Sequence, residues 1–156
     1  IFDIANFSST SFPTFDNLKH LQVNCYQNTL SPRPSIRSLF NFLRSSPKLE
    51  SLVINKVHFS HKPNGNMFRR YGIPQCLLLC LKSIEFRNFN GFPEEIELVK
   101  FLLKHARVLK LVTIRSEFSS DVELDDFSNE GILEKLLKFP KASTHCRFQA
   151  FETKRT

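Results

Sequence analysis

The sequence predicts an α/β fold, a right-handed solenoid of helix–strand units with a parallel sheet, and three observations carry that prediction. A strand-like hexapeptide, Leu-x-x-apolar-x-apolar, recurs four times, starting at Leu18, Leu49, Leu81 and Leu109, which are 31, 32 and 28 residues apart. Helical apolar stripes stand between several of the copies. The main rival, a doubly wound sheet, lacks its glycine-rich phosphate turn, because Gly65, Gly72, Gly91 and Gly131 form no GxGxxG.

Taken in order, the four hexapeptides are LKHLQV (Leu18, Leu21, Val23), LESLVI (Leu49, Leu52, Ile54), LKSIEF (Leu81, Ile84, Phe86) and LKLVTI (Leu109, Val112, Ile114). A fifth, weaker strand is expected from the alternation Cys146, Phe148, Ala150 after the turn at Phe139-Pro140. Between the first and second copies, Ile36, Leu39, Phe40 and Leu43 fall at i, i+3, i+4 and i+7, one face of a helix. Ser35 is placed to cap it, and Ser45-Ser46-Pro47 to end it, since the residue before proline is pushed out of the α region. Ile96, Val99, Leu102, Leu103 and Ala106 repeat the stripe, and Ile132, Leu133, Leu136 and Leu137 repeat it again. Residues 59–72, with Pro63, Asn64, Gly65 and Gly72, read as a loop, and residues 117–130 as a second, acidic one. Each unit alone cannot bury its apolar side, whereas stacked neighbours share a continuous core. Right-handed crossovers are expected between the parallel strands.

Composition bounds the function. The chain has 156 residues, 41% hydrophobic and 24% charged, an ordinary globular balance. No run of about 18 apolar residues exists, so no membrane span is expected. The chain opens at Ile1 with neither a methionine nor the basic-then-apolar start of a signal peptide, so its N-terminus reads as cut, while its few cysteines favour a reducing, intracellular compartment. The net charge of +7 is uneven: residues 1–90 hold eleven Lys/Arg against four Asp/Glu, and residues 91–156 hold eleven of each. The cations are scattered, with Arg69-Arg70 the only adjacent pair before position 91, so a solvated face is favoured over a nucleic-acid site.

Catalytic chemistry finds no constellation. His20, His58, His61, His105 and His145 fall on separate elements, and His58-x-x-His61 has no third metal ligand in a recognisable motif. Cys25, Cys76, Cys80 and Cys146 are too sparse for a disulfide scaffold, and Cys76-x3-Cys80 lacks a second pair at zinc spacing. No catalytic residue, metal or cofactor is therefore expected. Glu94 and Glu95 beside Pro93 read as charges favoured by a helix N-terminus. Seventeen phenylalanines without a tryptophan raise the possibility of a base-stacking platform. Phe40 and Phe86 follow core periodicity, however, so packing is the favoured reading. Strand alternation directs the third and fifth hexapeptide residues away from the core, giving His20, Gln22, Ser51, Val53, Ser83, Glu85, Leu111 and Thr113 as the open sheet face where a partner would bind. Five strands about 4.8 Å apart give a face roughly 20 Å wide, enough for a short segment of a partner.

The repeats and the segment after them resemble the plant F-box proteins with leucine-rich repeats and a C-terminal FBD domain. FPTFDNLKHLQV and LFNFLRSSPKLESLVI look like that family's repeats. Over residues 74–151, Pro74-x-Cys76-Leu77, LKSIEFRNFNG, EEIELVKFLLKHARVLKLVTI and LLKFPKASTHCRFQAF are similar to the FBD pattern. The resemblance implies leucine-rich-repeat-like units over residues 1–73 and an FBD domain over residues 74–156 that continues the solenoid. It also implies a non-enzymatic protein-interaction role, the substrate-recognition end of a Skp/cullin/F-box ubiquitin ligase. A Skp-type adaptor would be reached only through an F-box, and none is found in these residues. The alternatives left open are a basic nucleic-acid-associated domain and a truncated product without independent function. One departure from the general repeat pattern stands out: the expected loop asparagine is replaced by Tyr26, Val57, Phe89 and Glu117, and apolar stacking of Val57 and Phe89 is expected in its place.

Overall fold

A computed structural model describes residues 2–3, 13–24, 36–55, 68, 71–118 and 134–154. Among the described residues six strands form one sheet: β1 Phe2–Asp3, β2 His20–Asn24, β3 Ser51–Asn55, β4 Ser83–Arg87, β5 Leu111–Phe118 and β6 Arg147–Lys154. Helices α1 Ile36–Ser45, α2 Gln75–Leu79 and α3 Pro93–His105 alternate with the strands, and residues 134–137 are helical ahead of β6. Every strand pair is parallel, and the order in the sheet is the order in the chain. A doubly wound sheet reverses its strand order at a switch point. This α/β sheet instead advances in one direction.

The hexapeptides hold the strands in register because their apolar residues stack across the sheet. Leu21, Leu52, Ile84 and Val112 are successive partners, as are Val23, Ile54, Phe86 and Ile114. All eight are buried, and the leading leucines Leu49, Leu81 and Leu109 are buried beside them. Leu39, Phe40 and Leu43 of α1 and Leu98, Val99, Leu102 and Leu103 of α3 close the same core. Each such side chain contributes about 1.5–3 kcal/mol by leaving water.

The turns that lead into the strands repeat one hydrogen-bond scheme. The Lys19 carbonyl accepts from the Glu50 and Ser51 N–H groups, the Glu50 carbonyl from Lys82 and Ser83, and the Lys82 carbonyl from Lys110 and Leu111. Helix ends are tied to the neighbouring unit in a related way. Phe15 N–H donates to the Ser45 carbonyl at 2.7 Å, Arg107 N–H to Leu77 at 3.1 Å and Ala142 N–H to Leu103 at 2.9 Å. These bonds satisfy carbonyls that a helix C-terminus leaves orphaned.

Several local readings change in the structure. β1 and α2 are elements that sequence patterning does not reveal. Glu117 lies inside β5, not in a loop. Phe68 and Tyr71, from the segment read as a loop, pack into the core cluster. Glu95 is a buried cap and not merely a favourable charge: its Oε1 accepts from Phe92 N–H at 3.1 Å and from Asn90 N–H at 3.0 Å. Phe89 is buried and lies edge-on to Phe86, with ring centroids 5.9 Å apart, and its N–H donates to the Arg115 carbonyl. Asparagine contacts do exist, but nearer the strand ends. Asn24 and Asn55 are register partners, and Asn88 Nδ2 donates to Asn55 Oδ1. Asn88 itself adopts φ 54°, a left-handed conformation that asparagine tolerates. Ser35, Tyr26, Val57, Cys25, His58 and His61 lie outside the described residues.

Candidate functional site

The open face of the sheet is built by parity. With Leu21, Leu52, Ile84 and Val112 turned to the helices, their strand neighbours point the other way. Two rows of register partners result. The first is His20, Ser51, Ser83, Leu111 and Arg147, and the second is Gln22, Val53, Glu85, Thr113 and Gln149. All eight sequence-predicted residues therefore lie in these two rows. They are exposed or half-buried except Thr113, which is 7% exposed between the longer Glu85 and Gln149 and offers little contact surface.

The structure adds residues that the hexapeptide did not reach. β6 brings Arg147 and Gln149 into the rows and places Phe151 beside Arg115. Position seven of each repeat, Asn24, Asn55, Arg87 and Arg115, has the same parity as positions three and five. One further step along the strand would have found it.

Electrostatics concentrate on this added set. Glu85 receives Arg115 Nε on one oxygen and Arg87 Nε and Nη2, each at 3.0 Å, on the other. Partial burial pushes the Glu85 carboxyl up, but the hydrogen bond from Arg115 and the charge of Arg87 outweigh it and hold the group below its usual range. The Arg115 guanidinium lies 4.7 Å from the centroid of the Phe151 ring. Phe151 is 44% exposed, so the array ends in an accessible aromatic ring. Two arginines, one carboxylate and a phenyl ring form a surface suited to planar, charged or aromatic groups of a polypeptide.

Charges that look scattered along the sequence also meet along one edge. The turn hydrogen bonds make Lys19, Glu50, Lys82 and Lys110 consecutive neighbours ahead of the strands, with Lys82 Nζ 3.4 Å from Glu50 Oε1.

The buried thiol of Cys76 is not a reactive centre. Cys76 and Cys80 are free, and Cys76 is buried with its thiol donating to the Leu43 carbonyl at 3.5 Å. Burial pushes the Cys76 thiol up to about 12, far from a nucleophilic thiolate. Among the described residues no group of three or more His, Cys, Asp or Glu could hold a metal ion. No described helix is long and apolar enough to cross a membrane.

Comparison with known proteins gives this geometry a family context. The FBD family model matches residues 71–114. An FBD-associated F-box protein of Arabidopsis thaliana is 32% identical over 117 residues, covering 69% of this chain and 28% of the relative. A putative F-box/FBD/LRR-repeat protein of the same plant is 32% identical over 142 residues, covering 88% of this chain and 30% of the relative. A further F-box/FBD/LRR-repeat protein from Arabidopsis is 34% identical over 136 residues, 86% of this chain and 28% of the relative. The chain thus spans under a third of the length of these relatives. No solved structure matches. The chain carries an FBD domain at residues 71–114, set in a longer stretch homologous to the plant F-box/FBD/leucine-rich-repeat proteins.

Proposed function

We propose that this chain is a non-enzymatic protein-interaction module whose open sheet face receives a segment of a partner polypeptide. The observation that carries the reading is the two rows of register partners, ending at the Glu85–Arg115–Phe151 array, on the side of the sheet away from the apolar core. Strand order equal to chain order supports reading the sheet as one wall of a right-handed, leucine-rich-repeat-like solenoid, with repeat units over residues 1–73 and the FBD domain continuing it over residues 74–156. The F-box in the relatives' names supports a larger setting. There the face selects a protein substrate for a Skp/cullin/F-box ubiquitin ligase inside the cell, and the adaptor docks through an F-box outside these 156 residues.

Two measurements separate these claims. Partners captured by the wild-type chain should be lost on Arg115→Ala with Phe151→Ala while thermal stability is kept; undiminished capture would move binding off this face. The full-length gene product should recover a Skp-type adaptor, and its failure to do so would count against the ligase role while leaving the binding face untouched.

A second reading rests on the Lys19, Lys82 and Lys110 edge. An edge on which three lysines outnumber the intervening Glu50, itself paired with Lys82, suits the phosphates of a nucleic acid. It requires affinity for DNA or RNA that falls steeply with salt, and the absence of such binding removes it.

A further inference from the structure

The outer side of α3 carries a site that the sheet-face reading does not use. Glu97, Lys100, Phe101, Lys104 and His105 fall at i, i+3, i+4, i+7 and i+8, one stripe of the helix. This stripe faces Phe68, Gly72 and Ile73 across a cavity of about 590 Å³. Small-molecule sites typically occupy about 300–1,000 Å³.

The walls divide by chemistry. The apolar part is an aromatic cluster: the Phe101 ring lies 5.3 Å from Phe68 and 4.6 Å from the His105 ring, and Phe40 backs both phenylalanines at 5.8 and 5.4 Å. The polar part is cationic. Lys100 and Lys104 stand four residues apart; among the described residues neither pairs with a carboxylate, and Lys100 Nζ lies 5.7 Å from the centroid of the Phe139 ring. His105 reports the resulting field: burial lowers its pKa, and the charges of Lys104 and Arg107 lower it further. Glu97 is the one acid among the lining residues. Like charges at i, i+4 repel weakly, and an anion seated between the two lysines neutralises that repulsion. The adjoining rings offer flat apolar surface to whatever carries that anion.

We infer that this cavity binds a small organic anion, a carboxylate or phosphate borne on a flat apolar body, with the charge between Lys100 and Lys104 and the body against Phe101 and Phe68. Glu97 opposes the charge and sets an upper limit on affinity.

The test uses the 156-residue chain and 1-naphthyl phosphate, with 1-naphthol and inorganic phosphate as the two halves of the probe. Saturable binding is expected, with each half binding at least about tenfold more weakly than the whole, a difference of about 1.4 kcal/mol. Lys100→Gln with Lys104→Gln should weaken the probe by at least about tenfold, and both side chains are exposed, so folding is retained. Glu97→Gln should tighten binding, and the probe should raise the pKa read on the His105 imidazole resonance. Lys48→Gln, at an exposed cation outside the cavity lining, should change nothing. Absence of saturable binding overturns the inference. So does equal affinity for 1-naphthol, or indifference to the Lys100 and Lys104 substitutions.

Discussion

The two faces of the sheet are made by the same strands and differ in what determines them. On the helix side, Leu52, Ile54, Ile84 and Phe86 are buried among residues of α1 and α3, and replacing any of them disturbs every neighbour at once. On the open side, Ser51, Val53 and Ser83 are half-buried beside their register partners, and Glu85 is held by Arg87 and Arg115. The first face fixes the fold, and the second is where the proposed partner segment would lie. The parallel sheet separates the two faces cleanly, because the strand period of two assigns every residue to one or the other.

The sharpest break of this contrast is Leu52→Ala. Leu52 is fully buried between Leu21 and Ile84 in the register. Its truncation should cost about 2–5 kcal/mol in chemical denaturation. A small loss would mean that the LESLVI strand does not carry the central layer of the core.

Glu95 tests whether the cap of α3 belongs to the core side. Glu95→Ala leaves the Phe92 and Asn90 N–H groups without their acceptor and should cost about 1–3 kcal/mol. The cap also predicts a pH signature. Burial pushes the Glu95 carboxyl up to about 7, with help from Glu94, against the backbone N–H groups of Phe92, Asn90 and Gly91 that pull it down. The folded protein then holds this proton more tightly than the unfolded chain, whose carboxyl titrates near 4.5. Stability from this group is complete below about 4.5 and is lost as pH rises toward about 7. Melting temperature followed across that window should fall in the wild type, and Glu95→Gln should flatten the slope.

The helix-facing side was legible in the sequence because period and burial coincide there: four hexapeptides became four strands, and the stripes at 36–43 and 96–106 became α1 and α3. What escaped has physical causes. α2 is five residues long, too short for a 3.6-residue period to show, and β1 is two. β5 extends to Phe118 because it pairs with β6 through backbone groups over eight positions, which no apolar pattern encodes. Glu95 looks like any acid at a helix start until Asn90 and Phe92 fold over it. On the open face, Gln22 or Glu85 could be placed by parity alone, but Arg115 meeting Phe151 depends on two segments brought together by the fold. The cavity beside α3 was hidden for the same reason, since Phe68 reaches Phe101 only in three dimensions.

Ser143 marks the seam where β6 joins. Its buried hydroxyl donates to the Leu109 carbonyl, tying the segment before β6 to the turn before β5. Ser143→Ala should cost about 1 kcal/mol. Amide exchange should show the effect concentrated in β6, because a local tie loosens the strand it holds more than the core. A uniform loss across β2 to β5 would make the seam part of the common core.

The smallest effect on stability belongs to the open face and is the most informative about function. Glu85→Gln replaces one charge in an array whose arginines are 43% and 45% exposed, so water compensates most of what is lost. Thermal stability should move by no more than about 1 kcal/mol. Arg87 and Arg115 would nonetheless lose the carboxylate that orients them, and Arg115 its fixed position over Phe151. A partner that engages this array should therefore bind several-fold differently to Glu85→Gln, in a protein folded as well as the wild type. If Glu85→Gln instead costs as much as Leu52→Ala, the open face is part of what holds the fold, and the separation of tasks between the two faces fails.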